Sequence, residues 1–196
     1  MNVLPSVVCL GYVLIATSLI AQNGIFVPAN DISFTISTER KNHGVRERIN
    51  VKYRIVNVSN GSLYVPRGFE ATICIDGPRV GPHVLGGLEN SAGKHFYPGY
   101  GASCGGTPGA VSPTVTDMMS KVAVLLRPGE YFDGAFQLDP TMFHLTPGAY
   151  RIEAVLYGWR SDQFSDAERT ELERLSAPIL SGEVPASESI NLLVDH

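Results

Sequence analysis

The chain opens its regular pattern at Ile32 to Ser37, where Ile32, Phe34 and Ile36 alternate with polar neighbours. From Arg48 to Val58 the alternation is stronger. Ile49, Val51, Tyr53 and Ile55 point one way, and Asn50, Lys52 and Arg54 the other, the period-two signature of an antiparallel strand with one buried face. Leu63 to Pro66 and Ala71 to Ile75 are short strand candidates, and between them and the long strand Asn57 to Ser62 has turn composition, with Asn60-Gly61 as a hairpin signal. Further on, strands are expected at Lys121 to Leu126, at Tyr131 to Leu138, at Tyr150 to Tyr157, where Tyr150, Ile152, Ala154 and Leu156 alternate with Arg151, Glu153 and Val155, and at Glu188 to Val194. Leu126-Arg127-Pro128-Gly129-Glu130-Tyr131 and Leu145-Thr146-Pro147-Gly148-Ala149-Tyr150 repeat one pattern. Pro followed by Gly suits a type II turn, and the Tyr then opens a strand. One helix is expected near residues 165–176: Ser165 and Glu168 form a capping-box pair, Leu172 and Leu175 share a face, and Pro178 follows.

Between these stretches lies a different composition. Residues 77–109 hold ten of the 20 glycines, together with Pro78, Pro82, Pro98 and Pro108. Such a density is expected to break strands and helices. It predicts a long loop over 77–117, with one short strand around His83 to Leu85, and long loops in compact domains commonly carry function.

Val7 to Ala21 is apolar and uncharged apart from the polar Thr17 and Ser18. That length suits the core of a signal peptide over residues 1–21 better than the roughly 20 residues of a membrane span. No Lys or Arg precedes the run, a departure from the signal-peptide pattern, so an uncleaved anchor is the alternative and the one route to a membrane. Residues 22–31 then read as a linker to a single domain over 32–196. Export to the periplasm or beyond also gives the cysteines a meaning. Cys74 and Cys104 are expected to pair as a disulfide in an oxidising compartment. Asn57-Val58-Ser59 and Asn60-Gly61-Ser62 match the N-glycosylation acceptor pattern. A net charge of -4 without a basic cluster excludes nucleic acid as a partner.

About seven short strands with regular turns predict an all-β antiparallel sandwich. Ile49 to Val65, the turn Leu145 to Tyr150 and the closing Ser189 to Val194 resemble the framework of bacterial immunoglobulin-like domains, some of which resemble the intracellular proteinase inhibitor group. The resemblance implies an immunoglobulin-like sandwich and raises protease inhibition through the long loop. It carries no functional residue across and does not reach the glycine-rich loop or the helix.

Catalytic patterns are weak. Gly101-Ala102-Ser103-Cys104-Gly105 matches a nucleophile elbow, but its Gly- and Pro-rich neighbours supply neither the strand nor the helix that such an elbow needs. A hydrolase using Ser103 is therefore the third-ranked reading. The histidines show no metal-ligand spacing, so no metal and no cofactor is expected. Two aromatic features suit recognition. The first is His95-Phe96-Tyr97-Pro98-Gly99-Tyr100, whose Phe96, Tyr97 and Tyr100 either bind a partner or cover an end of the core. The second is Trp159-Arg160, with the single Trp of the chain, which either binds or anchors the helix. The expectation is a non-enzymatic exported module that binds a protein or a glycan.

Overall fold

A computed structural model describes residues 24–67, 83–97 and 114–195. In chain order the described elements are β1 (Phe26–Val27), β2 (Ile32–Thr38), β3 (Asn42–Gly44), β4 (Ile49–Asn57), β5 (Leu63–Pro66), β6 (His83–Asn90) and β7 (His95–Phe96). Then come α1 (Val115–Val122), β8 (Ala123–Leu126), β9 (Tyr131–Leu138), β10 (Gly148–Tyr157), α2 (Asp166–Leu172), β11 (Ile179–Leu180), β12 (Glu183–Pro185) and β13 (Ile190–Asp195). The described part is mostly β, with two α-helices. No helix among these residues is long and apolar enough to cross a membrane.

The strands form three sheets. Antiparallel β2-β4-β9 makes the first, and β3-β13-β10-β6-β7 the second, with β12 also on β10. These two face each other across the main core. Phe34, Val51, Tyr53, Ile55 and Phe136 come from one side, and Val84, Leu88, Tyr150, Ile152 and Leu156 from the other. The alternation read along β4 and β10 is the alternation of burial, because inward residues of a pleated strand repeat every second position. The third sheet, β1-β11-β5-β8, puts Leu63, Val65, Leu126 and Leu180 into the main core and has a second core on its other face. There Met118, Met119 and Val122 of α1 meet Leu172 of α2, Trp159, Phe164 and Ile179.

Several expectations change. The glycine-rich stretch is expected to be a loop with one short strand around His83 to Leu85; that strand is present but longer, since β6 pairs with β10 over eight residues from His83 to Asn90 and has β7 on its other edge. Two of its glycines are seats for aromatic rings. A Cβ on Gly86 would lie 2.0 Å from Phe136 Cε2, and one on Gly87 would lie 2.6 Å from the Tyr97 ring. A side chain there would displace the ring, so the local cost of glycine in a strand is offset by the packing above it. The stretch also ends in a helix: α1 begins at Val115, inside the expected loop, and runs into the expected strand at Lys121. Thr114 caps it by accepting from the Asp117 N–H at 3.1 Å, and Glu171 Oε2 accepts from the Val115 N–H at 3.1 Å. The expected linker instead supplies β1, which pairs in parallel with β11. Ile25 and Phe26 pack on the second core.

The Asn60-Gly61 turn is not a hairpin. β4 and β5 belong to different sheets, and the chain crosses between them. Asn57 makes the crossing. Fully buried, it donates to Gly61 O at 2.7 Å and Leu126 O at 2.9 Å, and its Oδ1 accepts from the Ser59 N–H and hydroxyl. These bonds also place its amide out of reach of a glycosyl group. Asn57→Ala is expected to cost about 2 kcal/mol, since it leaves the inward Leu126 carbonyl without its donor, as a lower urea midpoint would report. Of the two Pro-Gly turns, only the first has the expected geometry. Gly129 has φ +77°, whereas Gly148 starts β10 in an extended conformation. The α2 capping box is present as expected, with Glu168 Oε2 accepting from the Ser165 N–H at 2.6 Å, although the helix stops at Leu172.

Candidate functional site

Alternation fixes what the outer face of the six-stranded sheet carries. In β10 the inward Tyr150, Ile152, Ala154 and Leu156 leave Arg151, Glu153, Val155 and Tyr157 outward. Register then sets Glu89 opposite Arg151, Gly87 opposite Glu153, and His95 opposite Glu89. Three strands thus bring an imidazole, two carboxylates and a guanidinium to one patch.

The geometry of that patch is specific. Arg151 donates to Glu89 Oε2 from Nε at 2.9 Å and from Nη2, and pairs with Glu153 Oε1 at 2.9 Å. Each carboxylate keeps its second oxygen turned to His95. Glu153 Oε2 lies 3.5 Å from Nδ1, and Glu89 Oε1 lies 4.0 Å from Nε2. The hydrogen bonds to Glu89 are the main reason that the Arg151 guanidinium is held above its ordinary range. Tyr97 covers Gly87 beside this group, with its ring parallel to that of His95 at 6.0 Å between centroids, and it is 50% exposed. Further along the face, burial, then Glu183 and Tyr97, push the Tyr157 phenol up.

The aromatic residues singled out in the sequence fall into different surroundings. Phe96 points inward, packs on the main core and meets Tyr150 edge-on at 6.3 Å, so it covers the core as one of its two readings had it. Tyr97 stands on the open side. Trp159 is 2% exposed in the second core, together with Leu172 of α2. Its neighbour Arg160 is exposed and forks onto Asp162 at 3.1 and 2.5 Å, at the rim of a cleft of about 390 Å³ shared with Phe26 and Ser181. Phe96 is level with Ile152 across β6, and Trp159 follows seven residues later, roughly 23 Å along an extended chain. The two features therefore do not form one site. Tyr100, Ser103, the Cys74–Cys104 pair, the strand expected at Ala71 to Ile75 and the N-terminal segment 1–21 lie outside the described residues.

Sequence reasoning missed Glu89, Arg151 and Glu153. The outward phase of the strand over Tyr150 to Tyr157 pointed to Arg151 and Glu153 together, but nothing marked Glu89, which lay in a stretch expected to be loop.

No protein-family model matches the chain, and no curated protein matches it. Among solved structures it is similar to a β-glucosidase from Erythrobacter marinus, at 14% identity and a TM-score of 0.40 over 84% of this chain. It is likewise similar to a β-glucosidase from Listeria innocua in complex with glucose, at 12% and 0.40 over 84%. The chain spans only 15% and 16% of those two enzymes. ApaA from Bordetella pertussis matches over 84% of this chain and 93% of its own length, at 14% identity and a TM-score of 0.38. Likenesses this distant carry no argument about activity or fold family.

Proposed function

We propose that the chain is an exported, non-enzymatic module of the immunoglobulin-like sandwich type, and that it binds a glycan on the outer face of the six-stranded sheet. The observation that carries the reading is Tyr97, a half-exposed ring seated over Gly87 at the edge of a patch of paired charges. A sugar offers an apolar ring face to an aromatic side chain, and its hydroxyls suit planar groups such as the Glu89 and Glu153 carboxylates and the Arg151 guanidinium. These charged groups are already paired with one another, which suits hydrogen bonding to a neutral ligand better than proton transfer. The sandwich type is supported by two sheets that face each other across the main core, which the third sheet closes with Leu63, Val65, Leu126 and Leu180. It is also supported by the Tyr150 hydroxyl, which donates to Thr146 O at 2.8 Å, as the tyrosine corner of such folds does.

The test is a glycan array probed with the full chain. Tyr97→Ala is expected to weaken binding to the retained glycan by roughly tenfold or more, while Tyr97→Phe keeps it. An array with no retained glycan, or unchanged binding by Tyr97→Ala, would sink the reading.

A further inference from the structure

We propose that Glu89, His95 and Glu153 form a binding site for a divalent transition-metal ion of the zinc class, with Arg151 as the group that orients both carboxylates. The inference goes beyond the glycan reading and does not rest on it.

The donors come from three paired strands, β6, β7 and β10, so the backbone sets their spacing. One ligand atom from each residue can be chosen such that all three lie within 4.8 Å of one another. The division of the oxygens carries the argument. Arg151 occupies Glu89 Oε2 and Glu153 Oε1, leaving Glu153 Oε2 to face Nδ1 of the imidazole and Glu89 Oε1 to face its Nε2. At 4.0 and 3.5 Å those approaches are too long for good hydrogen bonds. An ion takes one ring nitrogen: on Nδ1, the 3.5 Å to Glu153 Oε2 matches the roughly 3.3–3.6 Å between tetrahedral neighbours set by metal–donor bonds of about 2.0–2.2 Å, and Glu89, within the same 4.8 Å group, has to turn its side chain to close on it.

Donor chemistry selects the ion. One imidazole with two carboxylates suits Zn²⁺, Cu²⁺ or Ni²⁺, whereas Ca²⁺ and Mg²⁺ call for all-oxygen shells. Three protein ligands leave a tetrahedral position open to water. Two carboxylates against one guanidinium keep the patch negative before the metal arrives. Arg151 opposes the ion by its charge while holding the carboxylates in place, in the manner of an outer-shell partner, so the affinity belongs in the micromolar range rather than the nanomolar.

The test uses the untagged full chain stripped of metal, titrated with Zn²⁺ by calorimetry and with Co²⁺ by visible absorption. The expected result is a binding event that His95→Ala and Glu153→Gln each weaken at least about tenfold, with the far-ultraviolet circular dichroism unchanged. His144→Ala, on an exposed turn elsewhere, should leave it intact. Two outcomes overturn the proposal: no Zn²⁺ binding by the full chain, or binding that His95→Ala leaves unchanged, which would assign the ion to other residues. The readout is the metal itself, so the proposal and the glycan reading can fail separately.

Discussion

Gly86→Ala is expected to destabilise the fold by about 3 kcal/mol, at the upper end of what overpacking a core costs. The new Cβ would lie 2.0 Å from Phe136 Cε2 and 2.4 Å from Cζ, and Phe136 is itself buried between the two facing sheets, stacked on Tyr53 at 6.4 Å. The ring has little room to retreat, and β6 is held on both edges by β10 and β7. Urea unfolding of the single variant gives the loss directly. A double-mutant cycle identifies its cause. Phe136→Ala alone opens a cavity, but the extra methyl at position 86 falls into that space, so the double variant should lose less than the two singles summed. Gly86→Ala as stable as the parent chain would mean that β6 is not seated beneath Phe136.

Trp159→Ala should cost still more, about 4 kcal/mol, the usual range for removing a large aromatic from a core. Trp159 joins the third sheet to the helices. Its backbone N–H, which the variant keeps, donates to Leu180 O at 2.9 Å, and its side chain lies in the core that α1 and α2 cover. Gly158 brings the chain so close to β11 that a Cβ would meet Leu180 O at 2.6 Å. The variant should unfold at a clearly lower temperature, and α1 and α2 should lose amide protection first. A substitution at an exposed binding residue would leave stability within about 0.5 kcal/mol. A stable Trp159→Ala chain would therefore return this residue to the list of ligand contacts.

Both predictions concern residues whose surroundings lie far away in the chain. Phe136 is fifty positions from Gly86, and no local pattern links them. Read locally, Gly86-Gly87 is a strand breaker. In the sheet, each glycine is the space in which an aromatic side chain rests, and Gly134 does the same beneath Tyr53. The helix α1 was hidden for a related reason. Thr114 and Asp117 make a serviceable cap and Val115, Met118, Met119 and Val122 a buried face, but the helix follows directly on glycine- and proline-rich chain and runs without a break into β8.

The alternating strands expected over Ile32 to Ser37, Arg48 to Val58 and Tyr150 to Tyr157, the strand over Tyr131 to Leu138 and the Ser165 cap were legible from residues alone. Each depends on neighbours a few positions apart: the two-residue period of a pleated strand and the three-residue reach of a capping side chain. Strand partners, the crossing at Asn57 from one sheet to another and the meeting of Glu89, His95, Arg151 and Glu153 were not legible. Burial can say which face of a strand turns inward, but which outward residues become neighbours depends on strand order and register, and those are set by how distant segments pack together.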